Sequence, residues 1–303
     1  MLSLNEKMIR GGKPIGLPYK GSKKKISKKI VEIIKQNFGT NKPVYDLFGG
    51  GGAITCELML NGFDVAYNEL DKSVVDMFEK ALTSDSDYLK ALIISREEFN
   101  RIIDKKSKTV EDELKLLTNS FGNNRKNYLY NRDIADVKYN LAKQLLERNQ
   151  YRNYRKQPFY KLYKQKFQQL RQLERLQQLE RLQQLERLQQ LERLPQITNK
   201  SYEDFSSVKN AILYLDPPYE GTSGYGNSAF DSRTFYDWTF EMAKHNIILI
   251  SSYVVSDDRF SVAYEFSTVK STFRGRKAQG ECEKLFMLTW QFEECASKQL
   301  TLF

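Results

Sequence analysis

Apolar residues fall into two kinds of pattern along the chain. Unbroken runs occur at Pro43-Val-Tyr-Asp-Leu-Phe48, Val65-Ala-Tyr67, Ala211-Ile-Leu-Tyr-Leu215, Asn246-Ile-Ile-Leu-Ile-Ser251 and Lys284-Leu-Phe-Met-Leu-Thr-Trp290. Runs this short predict strands buried on both faces. Elsewhere apolar positions recur at helical spacing. Ile26, Ile30, Ile33 and Ile34 precede the first run, a pattern through Leu58 and Leu60 follows it, and another follows Asn68-Glu69-Leu70-Asp71. Strand, helix, strand in that order predict a right-handed crossover and a parallel sheet.

The middle of the chain breaks this rhythm. Residues 120–166 are rich in Asn, Tyr, Arg and Lys, and no acidic residue occurs from Arg148 through Leu173. The hexapeptide Leu-Gln-Gln-Leu-Glu-Arg then recurs from about Leu170 to Leu194, where Pro195 stops it. All four residue types favour helix. Their leucines come every third residue, however, so on an α-helix the stripe drifts by about 60° per step. That makes a poor coiled-coil seam, and a long 3₁₀ helix that would align the leucines is rarely stable. Within the Leu-Gln-Gln-Leu-Glu-Arg units no Glu has an Arg three or four residues away, so local ion pairs are not expected. The simplest reading is one α/β sheet interrupted by a basic insertion, with the repeat as an expandable spacer.

Composition narrows the chemistry. With 303 residues, 40% of them apolar, the chain can bury a sizeable core. It contains no apolar run long enough for a membrane span and starts without a signal-type segment. Three scattered cysteines, Cys56, Cys282 and Cys295, suggest reduced thiols and a cytoplasmic setting. A single histidine, His245, argues against most zinc sites and any His-based triad, so no metal is expected. The net charge of +10 favours a polyanionic partner.

Two motifs carry the candidate chemistry. The first is Asp46-Leu-Phe48-Gly49-Gly-Gly51-Gly52, where a strand meets a glycine turn whose backbone a ligand can approach closely. A phosphate loop would need Gly-Lys-Ser/Thr, but Ala53-Ile54 follow Gly52. A dinucleotide fingerprint would need a third glycine where Ile54 or Thr55 stands. Glu69, about 20 residues beyond the turn, is where nucleotide-binding sheets place a carboxylate on ribose hydroxyls, with Asp71 as a rival. A ligand with a ribose and no pyrophosphate fits best. The second motif is Asp216-Pro217-Pro218-Tyr219, directly after the run Ala211–Leu215. Two prolines fix φ and donate no N–H. The Asp216 carboxylate and Pro217 carbonyl are therefore expected as acceptors with nothing nearby to neutralise them, beside the Tyr219 ring. Such a group suits a planar ring bearing an exocyclic amine, and would stabilise the charge that develops on nitrogen as it attacks a methyl group.

On these residues the sequence resembles the D12-class, Dam-like DNA adenine-N6 methyltransferases, in their alpha arrangement. Leu17-Pro-Tyr19-Lys-Gly-Ser-Lys23, the glycine motif, Asn68-Glu69, Lys200-Ser-Tyr202-Glu-Asp204, Asp216-Pro-Pro-Tyr219, the segment from Phe230 to Trp238, Ser251-Ser252 and Glu283-Lys-Leu-Phe286 carry the likeness. The family commonly has Gly-Gly-Lys where this chain has Gly21-Ser22-Lys23, and Asp where Glu69 stands. The resemblance implies a Rossmann-like, seven-stranded α/β methyltransferase sheet with an inserted, mostly helical target-recognition region. It implies S-adenosyl-L-methionine as donor and a flipped adenine in double-stranded DNA as acceptor. By position, Tyr19 and Lys23 would line the methionine end of the donor, with Asp46, Phe48, Gly49 and Gly51 bordering it. Glu69 would take the ribose, and Ser201 and Tyr202 would flank the donor's adenine. Asp216 would lie between donor and base, and Tyr219 would stack on the base.

The expected organisation is a catalytic domain in two parts, 1–112 and 196–296, around a target-recognition region 113–169 and the repeat spacer 170–195, with a tail 297–303. Asn123, Asn124 and Arg125 are of the types that read base edges, and Arg152, Arg155 and Lys161 of the types that hold phosphates. The end Gln299-Leu300-Thr-Leu302-Phe303 resembles short peptides that dock on the bacterial sliding clamp. A monomer is expected. Cytosine-N4 methylation is a weaker alternative, because Ser is usual there at the position of Asp216. RNA methylation remains an alternative, as does protein-glutamine methylation, which usually has Asn at that position. An inactive DNA-binding protein is a further one.

Overall fold

The computed structural model describes residues 1–129, 132–166, 175–220, 230–266 and 282–300. They divide into two compact units. One comprises residues 1–14, 23–75 and 193–303, the other residues 15–22 and 76–192.

The first unit is built on a seven-stranded sheet. Its strands are β1 (Val44–Asp46), β2 (Val65–Asn68), β3 (Gln196–Thr198), β4 (Ile212–Leu215), β5 (Ile247–Ser252), β6 (Phe260–Glu265) and β7 (Lys284–Leu288), in the order β3-β2-β1-β4-β5-β7-β6. The first five run parallel, and β7 pairs antiparallel with both β5 and β6. Helices α1 (Ser27–Phe38), α2 (Ala53–Leu60), α10 (Ser232–Ala243) and α11 (Thr289–Leu300) belong to this unit, and α3 (Lys72–Thr83) starts in it.

Side-chain alternation assigns the two faces of the sheet. Ile212, Tyr214, Leu249, Leu285 and Met287 pack with Ile30, Ile33, Ile34, Ile54 and Leu58 from α1 and α2. The intervening Leu213, Leu215, Ile248, Ile250, Phe286 and Leu288 pack with Phe235, Tyr236 and Met242 from α10. Central strands are thus buried on both sides, as their unbroken apolar runs predict. The sequence pattern misses β3 and β6, which are the two edges of the sheet. β3 has only three residues and β6 is buried only at Phe260 and Ala263, so neither has an apolar run. The run predicted to extend to Trp290 ends at Leu288, because Thr289 begins α11.

The second unit is helical: the rest of α3, then α4 (Ser86–Ala91), α5 (Arg96–Ile103), α6 (Val110–Asn119), α7 (Arg132–Glu147), α8 (Pro158–Lys166) and α9 (Gln177–Glu186). Starts are set by capping side chains: Asp85 accepts from Tyr88 N, Ser95 from Glu98 N, and Thr109 forms a capping box with Asp112. Residues 76–112, expected to belong with the catalytic sheet, fall here, as does the segment 15–22. The reason is packing, since Phe99, Ile102, Leu116, Tyr128 and Leu129 share one core.

The described part of the repeat is packed into the helical unit. Leu176, Leu179, Leu182, Leu185 and Leu188 are at most 1% exposed. Its helix is ten residues long and gives way to a 3₁₀ turn at Arg187–Gln190, so the leucine stripe drifts over a short length only. The expected lack of local ion pairing also fails, because Arg175 Nη2 lies 2.8 Å from Glu180 Oε2 across the start of α9. No described helix is long and apolar enough to cross a membrane. Of the expected clamp-binding tail, Gln299 and Leu300 end α11, while Leu302 and Phe303 lie outside the described residues.

Candidate active site

Strand β1 lies between β2 and β4, and the two motifs leave the ends of the adjacent strands β1 and β4. In open parallel sheets such strand ends, where the order reverses, are where ligands bind.

The glycine turn is held from below. Gly49 N donates to Asn68 O at 2.8 Å, and Gly52 N to Gly49 O at 2.8 Å. A Cβ on Gly49 would stand 2.3 Å from the Tyr67 ring, so only glycine fits. Gly50 has φ +49 and Gly52 φ +71, and Gly52 hands the chain to α2 without a side-chain cap. Glu69 is 1% exposed; one carboxylate oxygen accepts from Gly50 N at 2.9 Å and the other from Asp71 N at 3.0 Å. It is therefore a brace of the turn, and not a solvent-facing acid at a helix start. Burial raises its pKa, against the pull of those backbone bonds. Asp71 instead caps α3 by accepting from Ser73 N.

Asp46 accepts from Thr55 N and Thr55 Oγ1 through Oδ2, at 3.1 and 2.6 Å, while its Oδ1 is buried without a partner. Burial pushes its pKa up to about 7. A cleft of about 200 Å³ opens beside this turn, lined by Phe48, Leu70, Ser201, Tyr202, Pro218 and Phe230 among others. Phe48 and Tyr202 stack at 5.9 Å, and Tyr202 meets Trp238 edge-on at 4.9 Å. Ser201 caps the short 3₁₀ turn that carries Tyr202.

The end of β4 holds a cluster of charges. Lys23 Nζ donates to Asp216 Oδ1 at 2.6 Å and to Tyr219 Oη at 2.9 Å, and lies 3.6 Å from Glu283 Oε1. Tyr219 Oη in turn donates to Glu283 Oε2 at 3.1 Å, and Ser251 Oγ donates to Glu283 Oε1 at 2.9 Å. The Tyr219 ring tilts against Tyr253 at 4.7 Å. Asp216 thus has a cation beside it, contrary to the expectation of an un-neutralised acceptor. Two prolines remove local N–H donors, but they cannot keep away a lysine from a distant part of the chain. No described residue donates to the Pro217 carbonyl. Burial raises the Asp216 pKa, Lys23 opposes this and Glu283 adds to it. Burial also works against the Lys23 ammonium, yet Asp216 and Glu283 outweigh it and hold its pKa well above the ordinary value.

Lys23, Asp46, Phe48, Gly49, Gly51, Glu69, Ser201, Tyr202, Asp216, Pro217, Pro218 and Tyr219 are brought into one unit around the ends of β1, β2 and β4, and Tyr19 falls in the other. Sequence reasoning gave no role to Glu283, Ser251 or Tyr253. A family model of the D12 class N6 adenine-specific DNA methyltransferases matches residues 19–265. The chain belongs to this family. Its activity is accordingly DNA adenine-N6 methyl transfer from a methyl donor. A crystal structure of a provisionally named methylase from Haemophilus influenzae is similar over 87% of this chain and 96% of that one, at 9% identity and a TM-score of 0.34. At that score the likeness carries no argument. No curated protein matches the chain in sequence.

In this DNA adenine-N6 methyltransferase four of the six residues expected to contact DNA, Asn124, Arg125, Arg152 and Arg155, make intramolecular side-chain bonds. Asn123 and Arg125 adopt positive φ in a turn, where Asn124 Oδ1 accepts from Lys126 N and Asn127 N. Arg125 Nη1 pairs with Glu113 at 3.0 Å. Arg152 and Arg155 face Glu186 and Glu180 of the repeat at 3.5 and 2.9 Å. Lys161 is exposed. Expected neighbours at Tyr130 and from Phe167 to Arg171 lie outside the described residues.

Proposed function

We propose that the methyl group comes from S-adenosyl-L-methionine and goes to N6 of an adenine turned out of a DNA duplex. The observation that carries this reading is the adjacency of the β1 glycine turn to the Asp216 cluster at the end of β4. The residues of the glycine turn and of the cleft beside it fit that donor. Asp46 Oδ1 offers a buried acceptor with no partner, and Gly49 admits no side chain. Each Glu69 oxygen has a lone pair left for a ribose hydroxyl, and Phe48, Ser201 and Tyr202 present flat and polar groups to a purine. When bound, the donor supplies a methyl group made electrophilic by a sulfonium.

The chain's own residues prepare the nucleophile. Asp216 and the Pro217 carbonyl accept the two N6–H bonds, which favours a tetrahedral nitrogen and stabilises the positive charge that grows on it. Tyr219 offers the turned-out base a ring to stack on, offsetting part of the unstacking cost. The proton released from N6 after transfer goes to Asp216 or to water. In the helical unit, Lys161 takes a phosphate, Arg125 exchanges Glu113 for a base edge, and Asn123 and Asn124 bond to neighbouring base edges.

Duplex DNA incubated with labelled S-adenosyl-L-methionine should yield labelled N6-methyladenine on nucleoside analysis. Asp216→Asn should lower the rate by about 100- to 1,000-fold with donor affinity nearly unchanged. Label in cytosine, no retention of the donor, or parental activity in the variant would sink the reading.

A further inference from the structure

We infer that Glu283 is a positioning residue for methyl transfer: it receives the Lys23 ammonium when the target amine arrives, and so frees Asp216 to accept from that amine. This rests on the reading of Asp216 proposed above.

Asp216 Oδ1 accepts from Lys23 Nζ at 2.6 Å. No described residue donates to Asp216 Oδ2, so an exocyclic amine can reach that oxygen, but the charge-assisted bond from Lys23, only 8% exposed, draws off the electron density that so weak a donor needs from its acceptor. Leaving a buried ammonium without a carboxylate is strongly unfavourable. Glu283 removes that obstacle, because its Oε1 is already 3.6 Å from Nζ. A movement of roughly 1 Å turns that approach into a direct hydrogen bond. Tyr219 Oη, bonded to both Lys23 and Glu283, is a fixed pivot for the movement.

Glu283 itself is held still. It is 5% exposed, its carboxylate accepts from Ser251 and Tyr219, and its carbonyl accepts from Phe266 N at 3.0 Å. It stands immediately before β7, whose Leu285 pairs with Ser251 in β5. Glu283 also lies beyond residues 19–265, the part matched by the family model. The charged and titratable groups around Asp216 are Lys23, Glu283, Tyr219 and Tyr214, with Asp46 and Glu69 from the neighbouring strand ends.

The test compares Glu283→Gln, Glu283→Asp and Asp216→Asn in the full chain with duplex DNA and S-adenosyl-L-methionine. Glu283→Gln keeps the shape and removes the charge. Its kcat should fall on the order of 10- to 100-fold, with KM for DNA and donor Kd within about twofold. Because Glu283 holds the Asp216 pKa up, the acid limb of its kcat–pH profile should move to lower pH. Glu283→Asp should retain an intermediate kcat with the limb in place. Parental kcat in Glu283→Gln alongside an inactive Asp216→Asn overturns the inference and leaves the Asp216 reading standing. Parental kcat in Asp216→Asn overturns the reading itself. A lower kcat with weakened donor binding and an unmoved limb marks Glu283 as merely structural and also overturns the inference. If Glu283→Gln does not fold, parental kcat in Glu283→Asp does the same.

Discussion

The sheet unit and the helical unit use side-chain identity in opposite ways. At the strand ends each residue has a single role. Gly49 leaves no room for a side chain, Glu69 braces the turn, and Lys23 stands between two carboxylates. In the helical unit the same hexapeptide appears as Leu176–Arg181, Leu182–Arg187 and Leu188–Arg193, and equivalent positions do different things. Gln178 is buried and bonds Asn119 and Ile94 O, Gln184 reaches Gly16 O, and Gln190 is exposed. Glu180 meets Tyr154 and Arg155, and Glu186 meets Tyr151 and Arg152, while Glu192 is exposed. Chemistry in the first unit depends on which residue is present. In the second, the surroundings decide what an identical residue does.

The comparison is sharpest where both units are damaged at a buried position. Leu182→Ala should cost about 2–5 kcal/mol, the range for emptying a fully buried leucine site. Urea unfolding would measure it, and donor binding by the sheet unit should persist where the protein is folded. Equal loss of stability and donor affinity would show that the two units do not divide stability and chemistry in this way.

A pH series probes the sheet unit through Asp46. Burial pushes the Asp46 pKa from 3.8 to about 7, so between those values the folded protein keeps a proton that the unfolded chain releases. Stability therefore falls as pH rises through that window and levels off above about 7. The contribution is on the order of 2–4 kcal/mol, at about 1.4 kcal/mol per pKa unit. Asp46→Asn should remove that slope, so its stability relative to the parent rises from pH 4 to pH 8 by about that amount. Parallel pH curves for the two proteins would contradict it. Gly49→Ala comes next, since its Cβ would meet Tyr67 at 2.3 and 2.4 Å and Asn68 O at 3.2 Å. About 1–3 kcal/mol of stability should be lost, with donor affinity, measured by calorimetry, falling further than in Leu182→Ala.

These differences also explain what the sequence made legible. The central strands Ile212–Leu215 and Ile247–Ser252 were readable because burial on both faces leaves an unbroken apolar run. Asp46, Glu69 and Asp216 were readable because each stands at a strand end inside a motif. Glu283 was not: it opens a segment that carries the family likeness, but nothing in that segment shows that it will meet Lys23. Lys23 was expected near the donor, but sequence spacing could not show that it would occupy Asp216. The leucine stripe was visible, yet its burial depends on partners from α4, α6 and α7, which no periodicity within the repeat encodes. Arg152 and Arg155 looked like free cations because their acidic partners, Glu186 and Glu180, come from the repeat.

The smallest effect expected is that of lengthening the repeat. A further Leu-Gln-Gln-Leu-Glu-Arg inserted after Arg193 leaves residues 176–193 unchanged in sequence, so every buried leucine and both paired glutamates can stay in place. The added six residues would enter where Glu192, Arg193 and Leu194 are exposed, and lengthening an exposed connection costs well under about 1 kcal/mol. Removal of one copy differs. Because the copies are identical, deleting any of them yields the same chain, in which Leu194 follows Arg187 and Pro195 stands two residues beyond it. Leu194 then takes the Leu188 position, but the connection to β3 loses six residues, up to about 20 Å of reach. Insertion should therefore leave the unfolding midpoint and methylation rate close to parental, and deletion should lower the midpoint by several degrees. Equal effects of the two changes would mean that the third copy is as replaceable as the first two, and that burial of the repeat does not depend on where its chain must go next.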